Sequence, residues 1–320
     1  MKTDLYIFDF EKPVIETEKM IEKLKEMTSD SKEDFSGKLA ELQARLVEQK
    51  KDIYSKMTPW QTVKVARHPK RPVIQDYLKL VFDEFIELHG DRHYSDDPAL
   101  IGGFARMGEQ RVMFIGHNKG KNTHEQVERN FGMSRPEGYR KALRLMHLAE
   151  KYNLPVVSFI DTPAAFPGAD AEERGQAEAI AKNLVEMARL KVPIIIIVTG
   201  EGGSGGALGI GVGDVILMLN HSIYSVIPPE GCAAILWRDA SFAEEAARNL
   251  KLTSSELLQI GIIEEIIPEP LGGAHHDYNK AAEEVKKAIL KYLKNLTALP
   301  TDQLLDKRFE KFSKMGVYNQ

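Results

Sequence analysis

The apolar positions of this chain change period along its length. Over residues 1 to about 58 they recur at coiled-coil-like spacing, as at Leu39, Leu42, Leu46 and Ile53, among charged residues almost free of glycine and proline. This predicts a helical arm or hairpin. Thr58-Pro59-Trp60 and His68-Pro69-Lys70-Arg71-Pro72 punctuate the entry to a second zone, where helical and strand patterns alternate. Ile74–Leu88 shows a helical apolar face, and Val112–Ile115 a strand. Ser134-x-x-Glu137, with Pro136 in the first turn, reads as a capping box. It opens a helix with Tyr139, Ala142, Leu143, Met146 and Ala149 on one face. Pro155–Ile160 is the next strand, and Ala177, Ile180, Ala181, Leu184 and Ala188 mark a further helix. Strands come next at Ile194–Val198, Val215–Leu219 and Ile223–Ile227, and Pro228-Pro229-Glu230 starts a helix.

Fully apolar strands joined by helices predict an α/β fold with a parallel sheet flanked by helices. From about Asn295 the sequence turns polar and reads as a short tail. The expected organisation is an N-terminal helical arm at 1–35, a catalytic-type domain at 36–296 with a helical lead-in over 36–58, and a tail at 297–320.

One edge of that sheet carries the chemistry. Ile194–Val198 runs into a glycine cluster, Gly200 to Gly206, and Ala207-Leu208-Gly209-Ile210 then opens a helix. Glycine lets the backbone approach a ligand closely, and N–H groups at a helix start are unpaired and carry the positive end of its dipole. The product is an anion-binding nest. Gly200-x-Gly202-x-x-Gly205 satisfies the dinucleotide fingerprint, but the next strand ends in Asn220-His221 where that fold requires a carboxylate. A phosphate loop needs a lysine that is absent here. Gly202-x-Ser204-x-Gly206 fits a nucleophile elbow, and Asp239 and His275 follow in triad order. A fourth reading makes the N–H groups themselves the catalyst, as an oxyanion hole. A fifth is a glycine-lined helix–strand contact with no chemistry.

A second unusual edge is Asp161-Thr-Pro-Ala-Ala-Phe-Pro-Gly168, where a strand meets two prolines and small residues. It lies one βα unit from the first. Two such strand ends can aim backbone N–H groups at a common point, which suits an enolate or another oxyanion.

Composition narrows the field. Lys and Arg number 43 against 47 Asp and Glu, a net charge of −4, so bulk charge favours neither nucleic acid nor an anionic membrane. The single cysteine, Cys232, excludes intramolecular disulfides and cysteine-rich zinc sites. The apolar runs are strand-length, which predicts a cytoplasmic protein without signal peptide or membrane span.

Six segments carry a closer likeness: Gly90–Asp97, Phe131–Arg144, Asp161–Gln176, Thr199–Asp214, Ser225–Trp237 and Ile266–His275. Together they resemble the carboxyltransferase alpha subunits of bacterial acetyl-CoA carboxylases, in order, over roughly residues 5 to 295. The resemblance implies a crotonase-like spiral of ββα units with an N-terminal helical arm. It implies a beta-subunit partner bearing a zinc ribbon in an α2β2 heterotetramer, working with a biotin carboxyl carrier protein and biotin carboxylase in an ATP-dependent holoenzyme. The implied reaction moves a carboxyl group from carboxybiotin on the carrier to acetyl-CoA, forming malonyl-CoA, the first committed step of fatty acid biosynthesis. Biotin would reside on the carrier and zinc on the beta subunit, with no metal, nucleic acid or membrane bound by this chain.

Within that reading Gly205, Gly206 and Ala207 form an oxyanion hole for the biotin ureido oxygen. Ala164, Ala165, Phe166, Ser204, Gly209, Lys119 and Lys121 bind substrate. The chain departs from the family at Ala164, commonly glycine, at Phe166, commonly tyrosine, and at Gly209, often alanine, where glycine adds flexibility after the nest. Pro228 replaces a more usual serine. Two other functions stand beside this one: a self-contained serine hydrolase using Ser204, Asp239 and His275, and a non-catalytic scaffold. Of the remaining candidates, Cys232, Trp60 and Trp237 read as packed residues, His275-His276 as a poor metal site, and Arg174 as a bridge between subunits.

Overall fold

A computed structural model describes residues 8–30 and 35–316; residues 1–7 and 31–34 of the expected arm and 317–320 of the expected tail lie outside the described residues. The arm is a hairpin of α1 (Lys12–Asp30) and α2 (Ser36–Ser55). Val14, Ile21 and Leu24 are buried. Thr17 Oγ1 donates to Gln49 Oε1 at 2.8 Å, Lys50 pairs with Glu18 at 2.7 Å, and the Tyr54 hydroxyl donates to Glu11.

The body begins with α3 (Pro59–Ala66), opened by a Thr58–Gln61 capping box, and α4 (Ile74–Val81). The helical pattern expected to run to Leu88 stops at Val81, because Phe82 turns to extended backbone and Glu84–Glu87 forms strand β1. Strands β2 (Leu100–Met107) and β3 (Gln110–His117) complete an antiparallel set. Next come α5 (Thr123–Glu128), α6 (Pro136–Lys151), β4 (Val156–Thr162), α7 (Ala169–Glu173), α8 (Gln176–Arg189), β5 (Ile194–Gly203) and α9 (Ser204–Leu208). The last part holds β6 (Val215–Leu219), β7 (Ile223–Ser225), α10 (Pro229–Trp237), α11 (Ala243–Asn249), α12 (Ser254–Gln259), β8 (Glu265–Ile267), α13 (Tyr278–Leu296) and α14 (Thr301–Ser313).

The sheet runs β1-β2-β3-β4-β5-β6-β8, parallel from β3 onward. Strand β5 is its centre. Its first half pairs β6, and its second half, Glu201–Gly203, pairs β7, so the sheet steps from one partner to another along a single strand. All ten residues of β5 are buried. Ile195 and Ile197 face a core shared with α4 and α13, whereas Ile194, Ile196 and Val198 face one shared with α6 and α8. Each such side chain contributes about 1.5–3 kcal/mol on burial.

Three details differ from the sequence reading. Ser134 does not cap α6: Arg135 holds the N-cap position, Ser134 Oγ is buried without a partner, and Glu137 turns to Arg174 and Arg140. The C-terminal segment is not a bare tail, because α14 packs on the body. Arg308, 1% exposed, donates to the carbonyls of Met187, Leu190 and Val192 and pairs with Asp214 at 2.8 Å. Trp237 is 39% exposed and stacks on Phe242, while Trp60 is partly buried.

The arm meets the body at a cluster of imidazoles. The rings of His68 and His275 stack with centroids 4.0 Å apart, His276 lies 4.5 Å from His275, and Tyr54 of α2 lies 5.5 Å from His221. Beneath them a buried pair joins Arg71 to Glu269 at 2.6 Å, and Glu269 also accepts the His221 and Ala274 amides.

Candidate functional site

The glycine cluster divides between two elements. Gly200–Gly203 belong to β5, and the helix begins at Ser204, three residues earlier than the sequence reading placed it. It ends at Leu208, so Gly209 and Ile210 lie beyond it. Opposite Asp161, β5 carries extra residues: Ile160 pairs with Val198 but Thr162 pairs with Gly202. Such a bulge bends the strand and re-aims the residues beyond it. Asp161 holds the bulge in place by accepting the Glu201 amide at 3.0 Å.

This bend drives the end of β5 into the loop after β4. A Cβ on Gly203 would lie 1.9 Å from the Pro163 carbonyl oxygen, and one on Gly206 would lie 2.3 Å from the Ala164 carbonyl carbon. Backbone presses on backbone at both points, and only glycine fits. The two strand ends singled out in the sequence are therefore in direct contact. The Thr162 hydroxyl fixes the loop by donating to Ala164 O at 2.7 Å, and Phe166 N donates to Ser134 O.

In the opening turn of α9, the N–H groups of Gly205 and Gly206 donate to no backbone carbonyl among the described residues. That is the expected state of first-turn amides. Ser204 takes φ of +53°, which turns the chain sharply out of the strand. Gly205 has open space, its nearest neighbour from a built Cβ being Ile180 at 3.6 Å. Gly206 and Ala207 are buried, and Ser204 and Gly205 half-buried.

Behind the nest stand residues that the sequence reading did not select as a group. Tyr139 of α6 is fully buried and donates its hydroxyl to Gly206 O at 3.4 Å. Its ring fills the space where a Gly209 Cβ would be, 2.5 Å away, and Asn183 Nδ2 ties Gly209 O to Tyr139 O. Gly209 has ordinary helical angles, so its glycine makes room for Tyr139 rather than adding flexibility. The strand read from sequence at Val112–Ile115 runs on through His117 in β3 and leaves it 1% exposed. Burial lowers its pKa to about 4, and its ring lies against the backbone of Gly206 and Phe159. No periodic pattern marks Asn183 or His117. Only the helix face carrying Tyr139 was legible.

The two candidate lysines are each paired with a carboxylate. Lys119 Nζ sits 3.3 Å from Asp161 and 4.0 Å from Glu201, in a network that continues through Arg67 to Glu230. Lys121 pairs with Asp76. Phe166 lies under the Arg135 guanidinium, 4.1 Å from its ring centre. Ala164, Ala165 and Phe166 are half-buried along the loop edge. Arg174 makes its contacts within the chain, to Glu137 at 2.6 Å and over the Tyr94 ring, rather than standing free. Cys232 is half-buried in α10.

A triad does not form. The Asp239 carboxylate accepts the Ser241 amide on an exposed turn, His275 is stacked on His68, and neither touches Ser204. Among the described residues no cluster of His, Cys, Asp and Glu has the geometry of a metal site. No described helix is long and apolar enough to cross a membrane.

A parallel sheet that steps between partners along β5, with a glycine nest locked against a second strand end, defines a protein of the crotonase fold. Its likeness to solved structures is at that level. Transcarboxylase 12S, solved with methylmalonyl-coenzyme A and methylmalonic acid bound, superposes with a TM-score of 0.59 at 18% identity, over 72% of this chain and 42% of that one. The chain thus spans under half the length of that protein. A Pseudomonas malonate decarboxylase hetero-tetramer in complex with coenzyme A gives 0.56 at 17% identity, over 66% of this chain and 85% of that one.

The sequence goes further than the fold. Residues 7–316 match the acetyl co-enzyme A carboxylase carboxyltransferase-like family, and the chain belongs to it. The acetyl-coenzyme A carboxylase carboxyl transferase subunit alpha of Methylococcus capsulatus is 52% identical over 317 residues, 99% of each chain. The corresponding subunit of Thermosynechococcus vestitus is 52% identical over 98% of this chain and 97% of its own.

Proposed function

We propose that this chain is the alpha half of a two-subunit carboxyltransferase that forms malonyl-CoA from acetyl-CoA and carboxybiotin, and that its nest is the oxyanion hole on the biotin side. The observation that carries the reading is the interlock of Gly206 with Ala164 around the Gly205 and Gly206 amides, which have no acceptor among the described residues. A pocket wall of backbone, with no room for a side chain, fits the flat ureido ring of biotin.

Carboxybiotin, brought by its carrier protein, supplies the carboxyl group and, after losing it, a basic ureido nitrogen. The work of this chain is positional. The amides of Gly205, Gly206 and Ala207 face the ureido oxygen as it gains negative charge, and fixed donors there act without reorganising. Loss of one such donor typically costs about 10²–10³ in rate. The loop Ala164–Phe166 closes the neighbouring wall. No side-chain base is needed, in keeping with lysines already paired to carboxylates. The acetyl-CoA thioester falls to the partner subunit.

Dependence on a partner is supported by the surface next to the nest. Ser204, Leu208, Tyr224 and Val226 line an apolar cavity of about 400 Å³. Val226 is 77% exposed, and Ile235 and Leu236 of α10 are 71% and 65% exposed. Apolar patches of this kind mark interaction sites. A zinc-ribbon beta subunit is the proposed occupant, with fatty acid synthesis in the cytoplasm as the setting.

The test is malonyl-CoA decarboxylation with biocytin as acceptor, using this chain alone and then with a beta subunit. Turnover only in the mixture is expected. No turnover in the mixture, with both proteins folded, overturns the reading.

A further inference from the structure

The peptide group between Gly206 and Ala207 has two ends, and the protein addresses both. Its N–H belongs to Ala207, one of the three amides assigned above to the oxyanion hole. Its carbonyl, on Gly206, points into the body, where it accepts the Tyr139 hydroxyl at 3.4 Å. That hydroxyl has no other partner among the described residues, and Tyr139 is fully buried. His117 arrives from the end of β3 with its ring beside the same backbone. Both of its ring nitrogens are buried and lack a partner of ordinary hydrogen-bond geometry.

Two polar side chains so placed are not inexpensive filling. Burying a hydroxyl or an imidazole without a strong partner is unfavourable, because the water it gave up is not replaced. An apolar pair of the same size would pack as well in a core of this density. Their positions are also built deliberately: Gly209 lacks the Cβ that would meet the Tyr139 ring at 2.5 Å, and Asn183 clamps the Tyr139 and Gly209 carbonyls together.

We propose that Tyr139, through its hydroxyl, and His117, whose ring lies beside the same backbone without a formed hydrogen bond, are positioning residues that polarise the Gly206–Ala207 peptide from its carbonyl end, making the Ala207 N–H a stronger donor. The inference rests on the oxyanion-hole reading given above. The peptide unit is conjugated, so a donor at oxygen draws electron density away from nitrogen. Hydrogen bonds in such chains strengthen one another by about 10–30% each. A neutral imidazole is the form that serves here: it has one N–H to offer, and it adds no positive charge that would bind the carboxylated substrate before reaction. Burial keeps His117 in that form at neutral pH.

The experiment uses the reconstituted two-subunit enzyme, with malonyl-CoA and biocytin as probes, and compares Tyr139→Phe, His117→Met, His117→Gln and Gly206→Ala. Tyr139→Phe keeps the ring and removes only the donor. It is expected to lower kcat about 2–10-fold, the share of one hydrogen bond, with KM for both probes unchanged. His117→Met is expected to do the same, and His117→Gln, which retains an N–H, to recover part of the loss. Full kcat in both Tyr139→Phe and His117→Met, while Gly206→Ala is severely impaired, overturns this inference and leaves the oxyanion-hole reading standing. Full kcat in Gly206→Ala as well overturns both. Losses confined to KM, or matched by a fall in melting temperature without a change in kcat at low temperature, assign the two residues a purely structural role and also overturn it.

Discussion

Gly206 touches the peptide that joins Ala164 to Ala165 so closely that a built Cβ lies 2.5 Å from the Ala165 nitrogen. The neighbouring Gly205 has no such restriction, with 3.6 Å to Ile180. Adjacent glycines of identical composition are therefore opposite in tolerance.

Gly206→Ala forces two backbones apart, and displacement of about 1 Å can cost about 10²-fold in rate. A loss of that order in kcat is expected, with stability lowered by about 1–3 kcal/mol. Gly205→Ala is expected to fold within about 1 kcal/mol of the parent and to keep far more activity. Paired urea titrations and decarboxylation assays decide it. Equal losses in the two variants would refute the interlock.

Removing Arg308 leaves Asp214 buried and three carbonyls without their donor. Breaking a buried pair in this way costs about 3–5 kcal/mol. Arg308→Ala is expected to lose stability on that scale. The double change Arg308→Met with Asp214→Leu is expected to lose less, because no lone charge remains. Chemical denaturation of the two variants is the check, and a single variant as stable as the parent would contradict it.

Acidification weakens the seam between arm and body. Burial lowers the pKa of His221 and His276, and of His275 to about 2, with neighbouring cations assisting for His275 and His276. Unfolded, each returns to about 6.5. The unfolded chain therefore takes up protons first as pH falls through 6.5, and each histidine removes up to about 1.4 kcal/mol per pH unit below that point. Asp97, pushed up to about 6 by burial, acts in the opposite sense. The comparison of variants is thus the readout. His275→Asn is expected to flatten the dependence of stability between pH 7.5 and 5.5, and an unchanged slope would exclude the cluster as its source.

Ser204 is expected to resist fluorophosphonate labelling, since no base reaches it. Ser204→Ala in the reconstituted enzyme should keep kcat within about threefold, the range for a residue outside the reacting set. Stoichiometric labelling that disappears in Ser204→Ala would restore the hydrolase reading.

The sequence disclosed the parts of the site made by one run of residues. Ile194–Val198 reads as a buried strand because β-branched side chains alone fill its positions, and the glycines after it announce a close backbone approach. The convergence of Gly206 with Ala164 was legible as two odd strand ends one unit apart. What stayed hidden depends on partners distant in the chain. Strand β2 does not stand out in the sequence, and its Gly102-Gly103 has a physical reason only across the sheet, where a Cβ on Gly103 would strike the Ile86 carbonyl oxygen at 2.0 Å. The burial of His117 was not legible because its ring lies beside Phe159 of β4 and Gly206 of α9, both distant in the chain. Helix α14 looks like a tail because its key contact is an arginine, whose burial is set by the carbonyls it meets.

That last arrangement also orders events in time. Arg308 closes a circuit with groups contributed between residues 187 and 214, the stretch that leads into and out of the nest. During synthesis those residues emerge long before their guanidinium does. The carbonyls of Met187, Leu190 and Val192 and the Asp214 carboxylate must wait for that donor until nearly the whole chain has been made. The strand that carries the chemistry thus leaves the ribosome after β1–β4 but well before the arginine that ties down the segments on either side of it.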